Sequence, residues 1–197
     1  MPSIPRRRIL VLNGHPDGRP ERFAQGLAEA YAQGARDAGL EVEILKVADL
    51  DLPPLKSREE WEKGTPPAGV ASLQAAITRA DHFVVIYPLW LGSMPATLKA
   101  MFEQTFRSGF ALDTGARSMW PGKLRGKSAR VIVTMGMPAA VYRWFFLAHS
   151  LKSLERNILR FAGFSPVHST LIGNVEASAA ERQNWLGKIR AMGASGL

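Results

Sequence analysis

Two hydrophobic periods alternate along the chain. Short, largely β-branched runs predict buried strands, and three-to-four-residue apolar spacing predicts helices between them. The first run, Ile9 to Asn13, predicts a strand. Phe23, Leu27, Ala30 and Tyr31 then lie on one helical face. Glu41–Val47 predicts a second strand, in which Val42 and Ile44 alternate with charges, as suits a sheet edge. Residues 48–68 form a long polar connection with four prolines, long enough to suggest a lid or a partner contact. A helix over 69–80 (Val70, Leu73, Ile77) leads to a third strand over 82–87, and a helix over 95–106 follows. An irregular segment, 107–128, holds Phe110, Leu112 and Trp120. Ser128–Thr134 predicts the fourth strand. Leu147, Leu151, Leu154, Ile158 and Phe161 predict one continuous helix with Gly163 as its C-terminal cap. Val167–Ile172 predicts the fifth strand. Ser178 and Glu181 are spaced as a capping box ahead of a last helix carrying Trp185, Ile189 and Met192.

Five strands alternating with five helices imply a doubly wound five-stranded parallel sheet, order 2-1-3-4-5, with helices on both faces. Nothing splits the chain, so residues 1–197 are expected to be a single domain. Ligands of such sheets bind at the C-terminal strand ends, where the order reverses. There the chain places its three most unusual loops, Asn13–Phe23, Tyr87–Ala96 and Thr134–Tyr142.

Composition narrows the chemistry. The 197 residues include no cysteine, which removes disulfides, thiolate metal sites and a cysteine nucleophile and suits a reducing, cytoplasmic setting. No apolar run reaches the roughly 20 residues of a membrane span, and the N-terminal run reads as a strand and not as a signal peptide. The formal net charge is +8, but the basic residues are scattered, Arg107 and the Lys123–Lys127 stretch among them. No nucleic-acid-binding signature interleaves with them, so anionic small molecules are the better match. The stretch 121–128, PGKLRGKS, imitates a phosphate loop, yet it starts with proline and precedes a strand, so it reads as a basic turn.

In the first loop, His15, Arg19 and Arg22 stand ahead of a helix N-terminus, a combination that suits a phosphate. The second loop is apolar where loops are usually polar. Pro88, Leu89, Trp90, Leu91 and Gly92 offer apolar atoms for the face of a flat ring and backbone groups for its edge; the same Trp90 and Leu91 could serve a subunit interface. The third loop, Thr134, Met135, Gly136 and Met137, offers successive backbone N–H groups to a negative charge. Tyr142 and His149 are seven apart and share a face if both are helical, which would let them steady charge or relay a proton; a lone histidine amid Phe145, Phe146 and Leu147 could equally be a hydrogen-bonded packing residue. His82 and His168 have no ligand-spaced partner, Asp49 and Asp51 read as solvated charge, and no metal site is visible.

The stretches LVLNGHP, YPLWLGSMPATLKAMFEQTFRSGFA, VTMGMPAAVY and LRFAGFSPV resemble the flavodoxin-like NAD(P)H:quinone oxidoreductases, from about residue 6 to residue 192. The resemblance implies a non-covalent flavin, FMN or FAD, with NAD(P)H as co-substrate and a quinone or similar acceptor served in turn by a ping-pong mechanism. It also implies a homodimer, to which the large apolar Trp90, Met94, Phe110 and Trp120 would contribute. His15, Arg22 and Phe23 fall in the phosphate loop, Pro88 to Gly92 in the ring loop and Thr134 to Met137 in its backbone counterpart. Tyr142 and His149 fall near the family's hydride-transfer pair. Leu91 stands where an aromatic is common, and Leu112 and Thr114 where tyrosine is. The reading from another class is a flavodoxin-like electron carrier or a regulatory subunit of a cation-efflux system.

Overall fold

In a computed structural model, which describes residues 7–113, 122–176 and 178–196, five strands form one parallel sheet in the order β2-β1-β3-β4-β5. They are β1 (Arg8–Asn13), β2 (Glu41–Lys46), β3 (His82–Pro88), β4 (Ser128–Thr134) and β5 (Val167–Ile172). Asn13 lies opposite Ile86 and Pro88 opposite Thr134, so the loops after β1, β3 and β4 leave the same edge of the sheet. The expected order holds. β2 is an edge strand, and its Val42 and Ile44 are only half-buried.

The strand side chains divide the core by the period-two rule. Ile9, Val11, Val84, Ile86, Ile132 and Ile172 pack under α1 (Phe23–Asp37) and the C-terminal helix. Leu10, Leu12, Phe83, Val85, Val131 and Val133 pack on the other face, under the central helices. The first pair of helices is very close. A Cβ on Gly34 would sit 1.9 Å from the Arg190 carbonyl oxygen, and one on Gly193 would sit 2.0 Å from that of Tyr31. Only glycine permits that approach.

Three expectations change. The connection over 48–68 is not a bare polar loop, because it contains α2 (Arg58–Lys63), capped by the Ser57 hydroxyl accepting from the Glu60 N–H. Arg107, among the basic residues counted as scattered, is buried. Its guanidinium donates to the carbonyls of Glu60 (2.7 Å) and Gly64 (2.8 Å). Gln104 donates to the Pro53 carbonyl at 2.7 Å. The segment is thus tied down from behind by the residues that end α4 (Ala96–Thr105), which follows α3 (Ala68–Arg79) and β3.

The helix expected through Leu147 and Phe161 is interrupted. A single π-helical turn, Val141–Phe145, is followed by Leu147 and Ala148 in the left-handed region, with φ of +54° and +49°. Helix α5 (His149–Ser153) starts only there and runs on through a π-helical stretch, Leu154–Arg160, to the expected cap at Gly163, where φ is +112°. The last helix, α6 (Ala179–Ser195), opens on Ser178, whose hydroxyl accepts from the Glu181 N–H as its spacing predicts. No helix among the described residues is long and apolar enough to cross a membrane. The turn at Gly126 leads into β4, and the Lys127 ammonium donates to the carbonyls of Thr78 and Ala80, at the sheet end away from the three loops.

Candidate functional site

The first loop is built on a buried amide. Asn13 ends β1, and its Oδ1 accepts from the His15 N–H at 3.0 Å. Its Nδ2 donates to Gln25 Oε1, also at 3.0 Å, and Gln25 Nε2 donates to Glu29. The Gly14 N–H donates to the Ile86 carbonyl at 2.7 Å, which fastens the loop to β3. The loop therefore holds its shape through interactions made inside the protein.

His15 Nδ1 accepts from the Asp17 N–H at 3.0 Å, which puts the neutral ring's proton on Nε2. Burial lowers its pKa, and the nearby Arg22 charge lowers it further, so the ring is neutral near pH 7. Asp17 bridges Arg19 and Arg22, at 2.6 Å and 2.5 Å. Its hydrogen bonds from Arg19 hold its carboxyl well below the usual carboxylate range. Arg22 is the N-cap residue of α1 but supplies no side-chain cap. The N–H groups of Phe23 and Ala24 have no hydrogen-bond partner among the described residues. Those two donors, with the helix dipole behind them, suit a phosphate.

The second loop is a tight reversal. Trp90 and Ser93 exchange backbone hydrogen bonds of 2.8 and 2.9 Å around Leu91 (φ +46°) and Gly92 (φ +78°). Leu91 is fully exposed in a conformation that costs a leucine energy. The Leu89 N–H donates to the Thr134 carbonyl at 2.7 Å, joining the second loop to the third. The His15 ring meets the Trp90 ring edge-on, with centroids 5.6 Å apart.

The third loop is held by the chain leaving β5. Met135 N–H donates to the Ile172 carbonyl, Asn174 N–H to that of Met137 and Val175 N–H to that of Met135. Gly173 has no room for a Cβ, which would lie 2.3 Å from the Ala139 nitrogen. Gly136 differs, because nothing lies within 4 Å of a Cβ built on it and its N–H has no partner among the described residues.

Together these loops enclose a cleft of about 680 Å³. His15, Arg22, Phe23, Pro88, Leu89, Trp90, Thr134, Met135 and Gly136 line it. Of the ring-loop expectations, Leu91 and Gly92 form the exposed tip of the turn, and Met137 packs back against the core. Ala24, Glu21, Val175, Glu176 and Arg182 complete the wall. Sequence reasoning missed Arg182, which sits in the first turns of α6 and donates to the Val175 carbonyl at 3.3 Å. Its one sequence signal was a cation directly after the Ser178 capping box.

Tyr142 and His149 do not share a helical face, because the left-handed pair Leu147–Ala148 lies between them. Tyr142 is buried, and its hydroxyl accepts from the Leu151 N–H at 3.2 Å and bonds Ser150 Oγ at 2.7 Å. It caps the start of α5. His149 is exposed, and neither residue is on the cleft wall. Of the apolar residues expected at an interface, Met94 and Phe110 are half-buried against the core. Trp90 is exposed, whereas Trp120 lies outside the described residues, as does Thr114.

A doubly wound parallel sheet with its cleft between the ends of β1, β3 and β4 defines a flavodoxin-like protein. The chain belongs to the family described as flavodoxin-like fold, whose model matches residues 7–192. It is 26% identical over 171 residues to an uncharacterized NAD(P)H oxidoreductase of Haemophilus influenzae, covering 84% of this chain and 83% of that protein. It is 27% identical over 145 residues to the FMN-dependent NADH:quinone oxidoreductase of Ruegeria pomeroyi, covering 66% and 71% of the two chains. Among solved structures, the NAD(P)H:quinone oxidoreductase of Methanothermobacter marburgensis superposes with a TM-score of 0.80. That match has 25% identity and covers 97% of each chain.

Proposed function

We propose that this chain is an NAD(P)H-dependent flavoprotein oxidoreductase that holds FMN without a covalent bond and serves a quinone or a similar small acceptor. The observation that carries the reading is the mixed lining of the cleft. The unpartnered N–H groups of Phe23 and Ala24 open α1 beside Arg22, while Pro88, Leu89 and Trp90 supply apolar atoms, with the neutral His15 ring edge-on to Trp90. The Gly136 N–H on the same lining also has no partner among the described residues. A flavin mononucleotide asks for both kinds of lining, donors for its phosphate and apolar atoms for its flat ring. The cleft volume also lies in the range of small-molecule sites.

When bound, the flavin supplies the redox chemistry, accepting a hydride from NAD(P)H and passing two electrons to the acceptor. The protein's part is to hold and tune. Phe23, Ala24, Arg22 and His15 Nε2 would hold the phosphate. The Gly136 N–H would favour negative charge on a ring bound against the third loop. Trp90 and Leu89 would exclude water from the ring's face. Tyr142 receives no proton-transfer role, because its hydroxyl is already engaged at the start of α5. The relatives' names and the fold of the cleft support the activity, and a need for NAD(P)H goes with a cytoplasmic setting.

A homodimer goes with this reading, with the exposed Trp90–Leu91 turn in the contact between copies. Light scattering should report twice the chain mass at micromolar concentration, and a monomer would remove that part.

The test of the function is direct. The purified protein should be yellow, and heat should release a molecule with the mass of FMN. NADH or NADPH should bleach the bound flavin within the dead time of hand mixing, and a water-soluble quinone should restore the colour, with parallel initial-rate lines for the two substrates. A protein that takes up no flavin would overturn the proposal. So would a flavin that only a protein reductant bleaches, which is the behaviour of an electron carrier.

A further inference from the structure

Three side chains in succession hold the first loop by the same kind of bond. Asn13 Oδ1 accepts from the His15 N–H at 3.0 Å, His15 Nδ1 from the Asp17 N–H at 3.0 Å and Asp17 Oδ1 from the Arg19 N–H at 3.1 Å. Each takes the N–H two residues ahead, so an Asx-type turn is made three times in a row. The Arg22 N–H then donates to the Arg19 carbonyl at 3.2 Å, which hands the chain to α1. The last rung of this ladder also holds charge. The Asp17 carboxylate accepts from Arg19 Nε at 2.9 Å and from Arg22 Nε at 2.6 Å. Of these residues His15 and Arg22 line the cleft.

The rungs differ in one respect. The Asn13 amide accepts at any pH, and the hydrogen bonds from Arg19 keep Asp17 ionised far into acid. The imidazole accepts at Nδ1 only while it is neutral. Imidazolium carries a proton on both nitrogens, so no rotation of the ring offers the Asp17 N–H an acceptor. Two donors then face each other at the middle of the ladder. The charged groups nearest the ring are Arg22, Asp17 and Arg19 of its own loop, and burial together with Arg22 keeps it neutral near pH 7. The second loop meets it with the uncharged Trp90, and α4 meets the loop at Gly14 with Leu98. Thr134 to Gly136 bring no charge to the cleft wall, whose other charged residues are Glu21, Glu176 and Arg182. Asp49, after β2, stands beside Gly18, where a Cβ would lie 3.9 Å from its Oδ1.

We propose that His15 is a proton-operated latch on the first loop. Neutral, it holds Asp17 and through Asp17 keeps Arg22 at the cleft wall; protonated, it frees both and flavin mononucleotide is released. The release rests on the reading of the cleft as a flavin site. The sign follows from linkage. The bound state needs the neutral ring, so binding gives up the proton that His15 carries in acid. Affinity is therefore full above pH 6.5 and falls as the pH drops below it, by at most about ten-fold per pH unit for one proton. Attraction between imidazolium and phosphate acts the other way. It is screened across an open cleft, whereas the broken rung takes a permanent cation, Arg22, from the same wall.

The experiment compares the wild type with His15→Asn, whose Oδ1 closes the same turn without titrating, and with His15→Phe, which offers no acceptor at any pH. Fluorescence titration at pH 7.5 and pH 5.5 reads the affinity for FMN and for riboflavin, which lacks the phosphate. FMN itself takes up a proton near pH 6, and His15→Asn shares that effect. Between the two pH values the wild type should lose at least about three-fold more FMN affinity than His15→Asn. At pH 7.5 His15→Phe should bind FMN about three- to ten-fold more weakly than His15→Asn, with a smaller change for riboflavin. Hydrogen exchange at the Asp17 amide of the flavin-free protein reads the latch alone. Its protection, corrected for the intrinsic rate, should be lost at pH 5.5 in the wild type and kept in His15→Asn. Equal protection at both pH values in the wild type would overturn the latch even where FMN binds. A latch that opens in a protein binding no flavin would stand, and the proposed function would fall instead. Parallel FMN affinities in the wild type and His15→Asn would overturn the proposal, as would tighter FMN binding by the wild type in acid.

Discussion

Asn13 and Gln25 meet in a buried hydrogen bond, Nδ2 donating to Oε1 at 3.0 Å, which joins the end of the first strand to the first turn of α1. Asn13 also accepts the His15 N–H, so one side chain fixes both the first loop and the helix N-terminus at the cleft. Asn13→Leu would leave the His15 N–H and the Gln25 oxygen without partners. The expected cost is about 1–3 kcal/mol in urea denaturation, with flavin affinity falling at least as far. Asn13→Asp keeps the acceptor for His15, and Gln25 can turn its amide to donate, so its flavin affinity should lie between the two. Equal flavin affinity in all three proteins would show that the loop does not depend on this amide.

Leu91 separates stability from function. It sits fully exposed at φ +46°, where leucine is strained and asparagine is tolerated. Leu91→Asn should leave the protein as stable as the wild type or up to about 1 kcal/mol more stable. The same change should weaken cofactor binding or raise the acceptor KM, because it removes the apolar side chain next to Trp90 at the tip of the turn. Thermal melts and steady-state kinetics read the two effects separately. A variant with unchanged binding and unchanged KM would take Leu91 out of the site.

How much of this was legible in the sequence differs by residue. The five strands could be read because runs such as Phe83 to Ile86 are short and β-branched. The order followed because right-handed crossovers leave few arrangements for five alternating units. The second loop stood out as part of a cleft because an apolar stretch between two prolines is unusual in a loop, and the first because His15 and Arg22 precede a helix N-terminus. The break at Leu147–Ala148 could not, since Leu147, Leu151 and Leu154 keep helical spacing straight through it and neither left-handed residue is a glycine. The tie across 58–64 was hidden for another reason. Arg107 satisfies carbonyls more than 40 positions earlier in the chain, and no local pattern marks such a partner.

His82 sets a pH dependence unrelated to the cleft. It is buried at the start of β3, and its Nδ1 shares a 2.7 Å hydrogen bond with Ser128 Oγ, to which Arg7 also donates. Burial, with the Arg7 and Arg130 charges behind it, lowers its pKa from 6.5 to about 3. The folded pKa is therefore the depressed one for a base. Between pH 6.5 and 3 the unfolded chain binds a proton that the folded chain refuses, so stability falls as the pH drops through this window and levels off below it. From pH 7 to pH 5 the expected loss from this one group is about 2 kcal/mol. The depressed carboxylates Asp37 and Glu60 lose their contribution mainly at lower pH. His82→Gln should flatten the change between pH 7 and pH 5 in urea denaturation. An equally steep variant would place the acid sensitivity elsewhere.

Tyr142 tests whether its family resemblance or its geometry decides its role. Its hydroxyl accepts the Leu151 N–H at 3.2 Å and bonds Ser150 Oγ at 2.7 Å, so it satisfies a donor at the start of α5 from inside the protein. Tyr142→Phe should cost about 1–2 kcal/mol of stability, because it leaves the Leu151 N–H buried and unpartnered. Flavin reduction by NAD(P)H in stopped flow should stay within about three-fold of wild type, far from the roughly 100-fold or more that a general acid or base supplies. The exposed His149 should behave alike in rate, with His149→Gln near wild type in both rate and stability. Ser150→Ala provides the control, since it removes one partner of the same hydroxyl without touching the ring, and it should lower stability while leaving reduction unchanged. A hundred-fold slower reduction in Tyr142→Phe with its fold intact would mean that the hydroxyl leaves Leu151 and Ser150 during turnover to reach the flavin.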